Sequence, residues 1–128
     1  CWGRHIRDYR DGWAAVRRAD HPAIGLMLDS FHVFLQRSSM AEIAEIPADK
    51  IFMVELADFA PSALEGIEIS RHYRLFPGEG HSPIADFLRQ VEKTGYRGCL
   101  SVEVFNAFYR HNDPFETARR GADSLGER

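Results

Sequence analysis

Apolar and polar positions alternate along the chain in two rhythms, one helical and one strand-like. Ile6, Tyr9, Trp13 and Val16 recur at spacings of three and four, which predicts a helix over residues 6–19 with one buried face. Asp20, His21 and Pro22 end it, because a residue before proline avoids the helical region. Residues 24–28 then form a nearly continuous apolar run closed by Asp29, as expected of a strand buried on both faces of a parallel sheet. A short helix over 40–46 is stopped by Pro47, and a second apolar run over 51–54 ends in Glu55. A weaker helical stretch follows Pro61, and residues 72–76 read as a short strand before the tight turn Pro77, Gly78, Glu79, Gly80. Ser82 and Pro83 predict a helix start, serine as N-cap and proline as first helical residue. Its apolar face is Ile84, Phe87, Leu88 and Val91, and Gly95 stops it. A last strand over 100–105 and a last helix over 114–125 complete the pattern.

The order is a helix followed by about four strand–helix units. Strands alternating with helices imply parallel pairing and an α/β fold. A closed (β/α)8 barrel needs eight such units and about 250 residues. The 128 residues therefore predict the C-terminal half of such a barrel, residues 1–128 forming one partial domain. An open four-stranded sheet is the alternative, and it would leave apolar strands at its edges. A second copy covering those edges would make a homodimer. The chain opens Cys-Trp-Gly-Arg without a methionine and runs almost at once into helical sequence, which predicts further sequence upstream.

Composition narrows the partners. An apolar share of 45% with 27% charged residues suits a globular domain with a real core. A net charge of -3 and a pI near 6.1 argue against nucleic acid as the main partner. The densest basic run, from Arg4 to Arg18, is interleaved with Asp8 and Asp11 and reads as a solvated helix face. No apolar stretch reaches the roughly 18 residues of a membrane span, and no signal peptide is visible. Cys1 and Cys99 form neither a disulfide framework nor a C-x-x-C site, consistent with reduced thiols in a cytoplasmic protein.

Asp29, Glu55 and Glu103 carry the candidate chemistry, since each closes or interrupts an apolar strand. A carboxylate there loses hydration, at a cost that a cation or hydrogen-bond donors must offset. Any one of them could pair with an arginine or cap the next helix. Three at strand ends would converge on the face where parallel strands open, and hard oxygen ligands there suit Mg²⁺ or Mn²⁺, with Co²⁺ or Zn²⁺ admitted by a nearby histidine. His32, three residues beyond Asp29, would lie in a loop facing the same pocket, as a general acid or base or as a structural histidine. Arg71, His72 and Arg74 could hold a substrate carboxylate or form a solvated polar loop. Asp58, three residues after Glu55, could support the ligands from behind. The glycine turn matches no phosphate-binding pattern, and no serine lies in a hydrolase context.

Taken together, several strings resemble the xylose-isomerase-like TIM-barrel superfamily. They are Trp2, Gly3, Arg4, His5 followed by Asp8 and Tyr9; the run from Arg17 to Pro22; and Leu28, Asp29, Ser30, Phe31, His32. Ser70, Arg71, His72, Tyr73, Arg74 before the glycine turn, and Ser101, Val102, Glu103, Val104, Phe105, Asn106 after Thr94 to Gly98, resemble bacterial 3-dehydroshikimate dehydratases within it. The resemblance implies a metal-dependent lyase using Mg²⁺, Mn²⁺ or Co²⁺ on a hydroxylated cyclic carboxylic acid, with protocatechuate and water as products. By position it implies metal ligands at Asp29 and Glu103, the catalytic base at His32, and substrate contacts at Ser70 and Arg74. Glu55 falls where these dehydratases usually carry glutamine, and it still offers a ligand oxygen. The resemblance also implies a fourth ligand, a glutamate just before Cys1, and an arginine from an earlier part of the barrel. A sugar isomerase or epimerase of the same superfamily is the second reading, and a half-barrel active only with its complement is the third.

Overall fold

The computed structural model describes residues 3–126; Cys1 and Trp2, named in the sequence reading, lie outside the described residues. In chain order the elements are α1 (Tyr9–Ala19), β1 (Leu26–Asp29), α2 (Ser30–Leu35), 3-10 turns at Ala41–Glu45 and Ala48–Lys50, and β2 (Ile51–Leu56). These are followed by α3 (Gly66–His72), α4 (Ile84–Lys93), β3 (Leu100–Val102), a 3-10 turn at Tyr109–His111 and α5 (Pro114–Asp123). The three strands lie in sequence order, β1-β2-β3, and both pairings are parallel. The described residues thus hold three strands rather than the expected four. The segment read as a fourth strand, residues 72–76, begins on the last residue of α3. Beyond it the segment makes only isolated antiparallel bridges, Asp58 to Leu75 and Tyr73 to Asn106.

The first helix starts later than its apolar spacing predicts. Asp8 is its N-cap and forms a capping box with Asp11, which satisfies amide groups the helix itself cannot pair. Ile6 therefore falls before the helix and is exposed, while Val16 is buried. Asp8 also pairs with Arg10 and accepts from Ser38 across the loop after α2. The Arg10 hydrogen bond chiefly holds the Asp8 carboxyl down at about 2, against an ordinary 3.8. A carboxyl with its folded pKa below its unfolded one stabilises the fold above about pH 4, and that contribution is lost as pH falls through about 2. Thermal unfolding between about pH 5 and about pH 2 is expected to show an acid-sensitive limb that Asp8→Asn flattens. An equally steep limb in the variant would remove Asp8 as its source.

One face of the sheet makes the core. Leu28, Val54 and Leu56 pack with Ile43, Ile46, Phe87 and Val91 into one buried cluster. The partners Met27 and Met53 point to the opposite face and are 55% and 37% exposed. At these positions the strands are therefore not buried on both faces. A register shift after Leu26 leaves Phe52 out of the pairing. Two helix starts also depart from expectation. α2 follows β1 with no loop, and α4 begins at Ile84 with Pro83 as its cap and no side-chain cap at all. Ser82 lies one residue before the cap, its amide donating to Asp58 Oδ1 at 2.9 Å.

Candidate metal centre

Parallel pairing sets Asp29 beside Glu55 and Glu55 beside Ser101. Since successive strand residues alternate faces, Glu103 lies on the side of the sheet that carries Ser101, Asp29 and Glu55. Its amide still donates to Leu56 O at 3.3 Å, so the ladder reaches one residue past the end of β3. One carboxylate oxygen from each of Asp29, Glu55 and Glu103 lies within 4.8 Å of the others. The three acids line one cavity of about 250 Å³ together with His32, Ile6, Arg7 and Tyr9.

Asp29 does what a lone acid at this place was expected to do, and converges with the others as well. Its Oδ1 caps α2 by accepting from Phe31 N at 2.8 Å. Its Oδ2 accepts from Arg74 Nη1 at 3.0 Å and lies 3.5 Å from His32 Nε2. Burial pushes the Asp29 carboxyl up, and Arg74 opposes the shift. Burial also pushes Glu55 up, helped by the charges of Glu103 and Asp29. Burial, with the positive charge of Arg74, lowers His32 to about 4. Its imidazole is therefore neutral near pH 7 and can accept a proton. His32 stands on α2 rather than in a loop, because the Asp29 cap lets the helix begin on the next residue.

Arg74 lies against two of these acids. It is 1% exposed, and every nitrogen of its guanidinium is engaged by the protein itself. Nε donates to Ser70 O at 3.0 Å and Nη2 to Ser70 Oγ at 3.2 Å. Nη1 donates to Asp29, to Glu103 Oε2 at 3.0 Å and to Glu103 O at 3.2 Å. The guanidinium carbon lies 4.3 Å from the Phe31 ring centroid and 5.3 Å from that of Phe105. Ser70 is fully buried beneath it. Ser70 and Arg74, expected at substrate-contacting positions, form with Asp29 and Glu103 an internal ion cluster and are buried among the described residues. Asp58 lies away from the three acids, in the loop after β2. It is 1% exposed and gathers the glycine turn, accepting from Gly78 N at 3.2 Å, Gly80 N at 3.0 Å and Ser82 N. Gly78 needs its positive φ of 88°, and a β-carbon at Gly80 would lie 2.4 Å from Asp58 Oδ1, so the turn admits no side chain there.

Two residues of this region escaped the sequence reading. Arg7 lines the cavity but lay in a basic run that read as solvent-facing, and only the fold brings it to the acids. Asn106 was quoted as part of a string without a role, and its buried amide gives no signal in periodicity.

A parallel α/β partial barrel with carboxylates converging beyond its strands defines a class, and the chain belongs to the xylose isomerase-like TIM barrel family, whose model matches residues 1–128. Within that class it is 46% identical, over 98% of its length, to the 3-dehydroshikimate dehydratase of Pseudomonas putida. It is 24% identical over 95% of its length to the inosose isomerase of Halalkalibacterium halodurans. Among solved structures it superimposes with a TM-score of 0.92 and 46% identity on a xylose isomerase-like TIM barrel/4-hydroxyphenylpyruvate dioxygenase fusion protein, over 97% of this chain and 20% of that one. The chain spans 20% of the dehydratase and 43% of the isomerase. Among the described residues no helix is long and apolar enough to cross a membrane.

Proposed function

We propose that the chain forms part of a divalent-metal-dependent dehydratase that converts 3-dehydroshikimate to protocatechuate and water. The convergence of Asp29, Glu55 and Glu103 within 4.8 Å carries this reading, and the likeness to the Pseudomonas dehydratase supports the substrate. The donor set fits a divalent cation by type and by charge. All three donors are hard oxygens, and three carboxylates against the single guanidinium of Arg74 leave two formal negative charges.

Asp29, Glu55 and Glu103 would hold the ion, which when bound supplies a Lewis acid that stabilises charge developing on a ketone oxygen. His32, neutral at the edge of the cluster, takes the proton from the carbon next to the ketone. The electron pair of that C–H bond forms a carbon–carbon double bond as the neighbouring C–O bond breaks. His32 returns its proton to the departing hydroxyl, giving water, and loss of the ring's remaining sp³ centre by tautomerisation yields the aromatic acid. Arg74 holds Asp29 and Glu103 in orientation, both accepting from its Nη1. The substrate carboxylate is held by Arg7, an exposed arginine on the same cavity.

A second reading, an isomerase acting on a hydroxylated cyclic ketone, is favoured by one observation: Arg74, which pointed to a carboxylic acid, is committed to the protein. One experiment separates the two. Full-length protein stripped with a chelator and reloaded with Mg²⁺, Mn²⁺ or Co²⁺ is offered 3-dehydroshikimate and, separately, an inosose. Protocatechuate is expected only from the reloaded samples. Inosose turnover without protocatechuate selects the isomerase, and undiminished activity in the stripped protein rejects the metal.

A further inference from the structure

We infer that Asn106 is a positioning residue of this centre, acting through Arg74. The inference rests on the reading of the acid cluster as a metal centre. Asn106 is 4% exposed, and both ends of its amide are used. Nδ2 donates to Arg74 O at 2.8 Å. Oδ1 accepts from Phe108 N at 2.9 Å and Tyr109 N at 3.2 Å, the first amides of the turn after β3. One side chain thus ties the backbone of Arg74 to the loop that carries Glu103.

The need for such a tie follows from how Arg74 is reached. Its segment belongs to no strand of the sheet. It crosses between two loops, joined to the loop after β2 by the Asp58–Leu75 bridge and to the loop after β3 by the Tyr73–Asn106 bridge. The Arg74 amide also donates to Phe105 O at 3.1 Å, and the Ala107 amide to His72 O at 2.9 Å. These neighbours are backbone groups that any residue supplies. The link to the Arg74 carbonyl is different, because it requires a side-chain donor at 106 that accepts at its other end. Asparagine offers both at separate atoms, Nδ2 as donor and Oδ1 as acceptor. Aspartate keeps the shape and the acceptor but faces the Arg74 carbonyl with an oxygen. With that carbonyl released, the guanidinium loses the fixed origin from which it reaches Asp29, Glu103 and Ser70 at once.

The test reads Arg74 directly. In a ¹H–¹⁵N spectrum of arginine side chains, the buried Nε–H that bonds Ser70 O is assigned by its loss in Arg74→Lys. Its exchange with solvent is then compared in the full-length protein and in Asn106→Asp, Asn106→Ala and Asn106→Ser, each checked for folding by circular dichroism. We expect exchange to accelerate at least about tenfold in the folded variants, and the Mn²⁺ dissociation constant to change with it. In the Arg74→Lys background the same Asn106 substitutions are expected to leave Mn²⁺ binding unaltered, since coupled residues are non-additive. An Arg74 signal unchanged in a folded variant overturns the inference. So does unfolding of all three, which would make Asn106 an element of folding instead. A protein inactive on 3-dehydroshikimate that still shows the Arg74 effect would cost the proposed function and leave this inference standing.

Discussion

Replacing His32 with alanine is expected to lower turnover of 3-dehydroshikimate by about 10²–10⁴, the usual contribution of a positioned general base. Three observations set that expectation. The imidazole Nε2 lies 3.5 Å from Asp29 Oδ2, so it stands at the edge of the acid cluster. Its pKa, lowered to about 4 chiefly by burial, leaves it neutral at ordinary pH. It is held on α2, a helix capped by the same Asp29, so the imidazole and that carboxylate share one rigid origin. Mn²⁺ affinity in the variant is expected to stay within a few-fold of the parent. Turnover kinetics and Mn²⁺ titration on one preparation distinguish the outcomes. Unchanged turnover removes His32 from the chemistry, whereas parallel loss of metal and turnover makes it part of the centre's scaffold.

The second large effect concerns stability. Arg74→Met is expected to destabilise the metal-free protein by about 3–5 kcal/mol, because removing one partner of a buried pair leaves the other charge uncompensated. The Asp29 side of the pair dominates, since both groups there are nearly inaccessible. The Glu103 side counts for less, its carboxylate being 41% exposed and screened by water. The loss is expected to shrink when Mn²⁺ is added, as a divalent cation supplies positive charge to the same carboxylates. Denaturant unfolding of parent and variant, with and without Mn²⁺, measures both quantities. A loss that Mn²⁺ leaves untouched would mean that Arg74 works by packing between Phe31 and Phe105 alone. Arg74→Lys is expected to recover little, because a single ammonium cannot replace a fork that reaches Ser70, Asp29 and Glu103 together.

The strand-closing acids were legible in the sequence because an ionisable residue at the end of an apolar run is a local departure from pattern. Asp29, Glu55 and Glu103 needed no knowledge of distant contacts to be singled out, and parallel pairing followed from the alternation of strands and helices. The helix start at Ile84 was nearly legible, one residue after the first helical position expected at Pro83, which leaves Ser82 before the cap with its amide on Asp58, 24 residues away. The strand expected before the glycine turn failed for a related reason. A short apolar run lacks the information to say whether a neighbour will pair along it or only bridge to it.

The sequence by itself determined the α/β class, the three acids and the placement of a histidine three residues after the first of them, because these are set by composition and spacing within single elements. Only the tertiary structure decided what Arg74 does. Its role depends on Asp29, 45 residues before it, and Glu103, 29 residues after it. A guanidinium that reads as a solvent-facing hook in a polar string becomes the buried counter-charge of the cluster. Side chains brought together from separate strands and loops leave it no exposed face, and no local pattern records that enclosure.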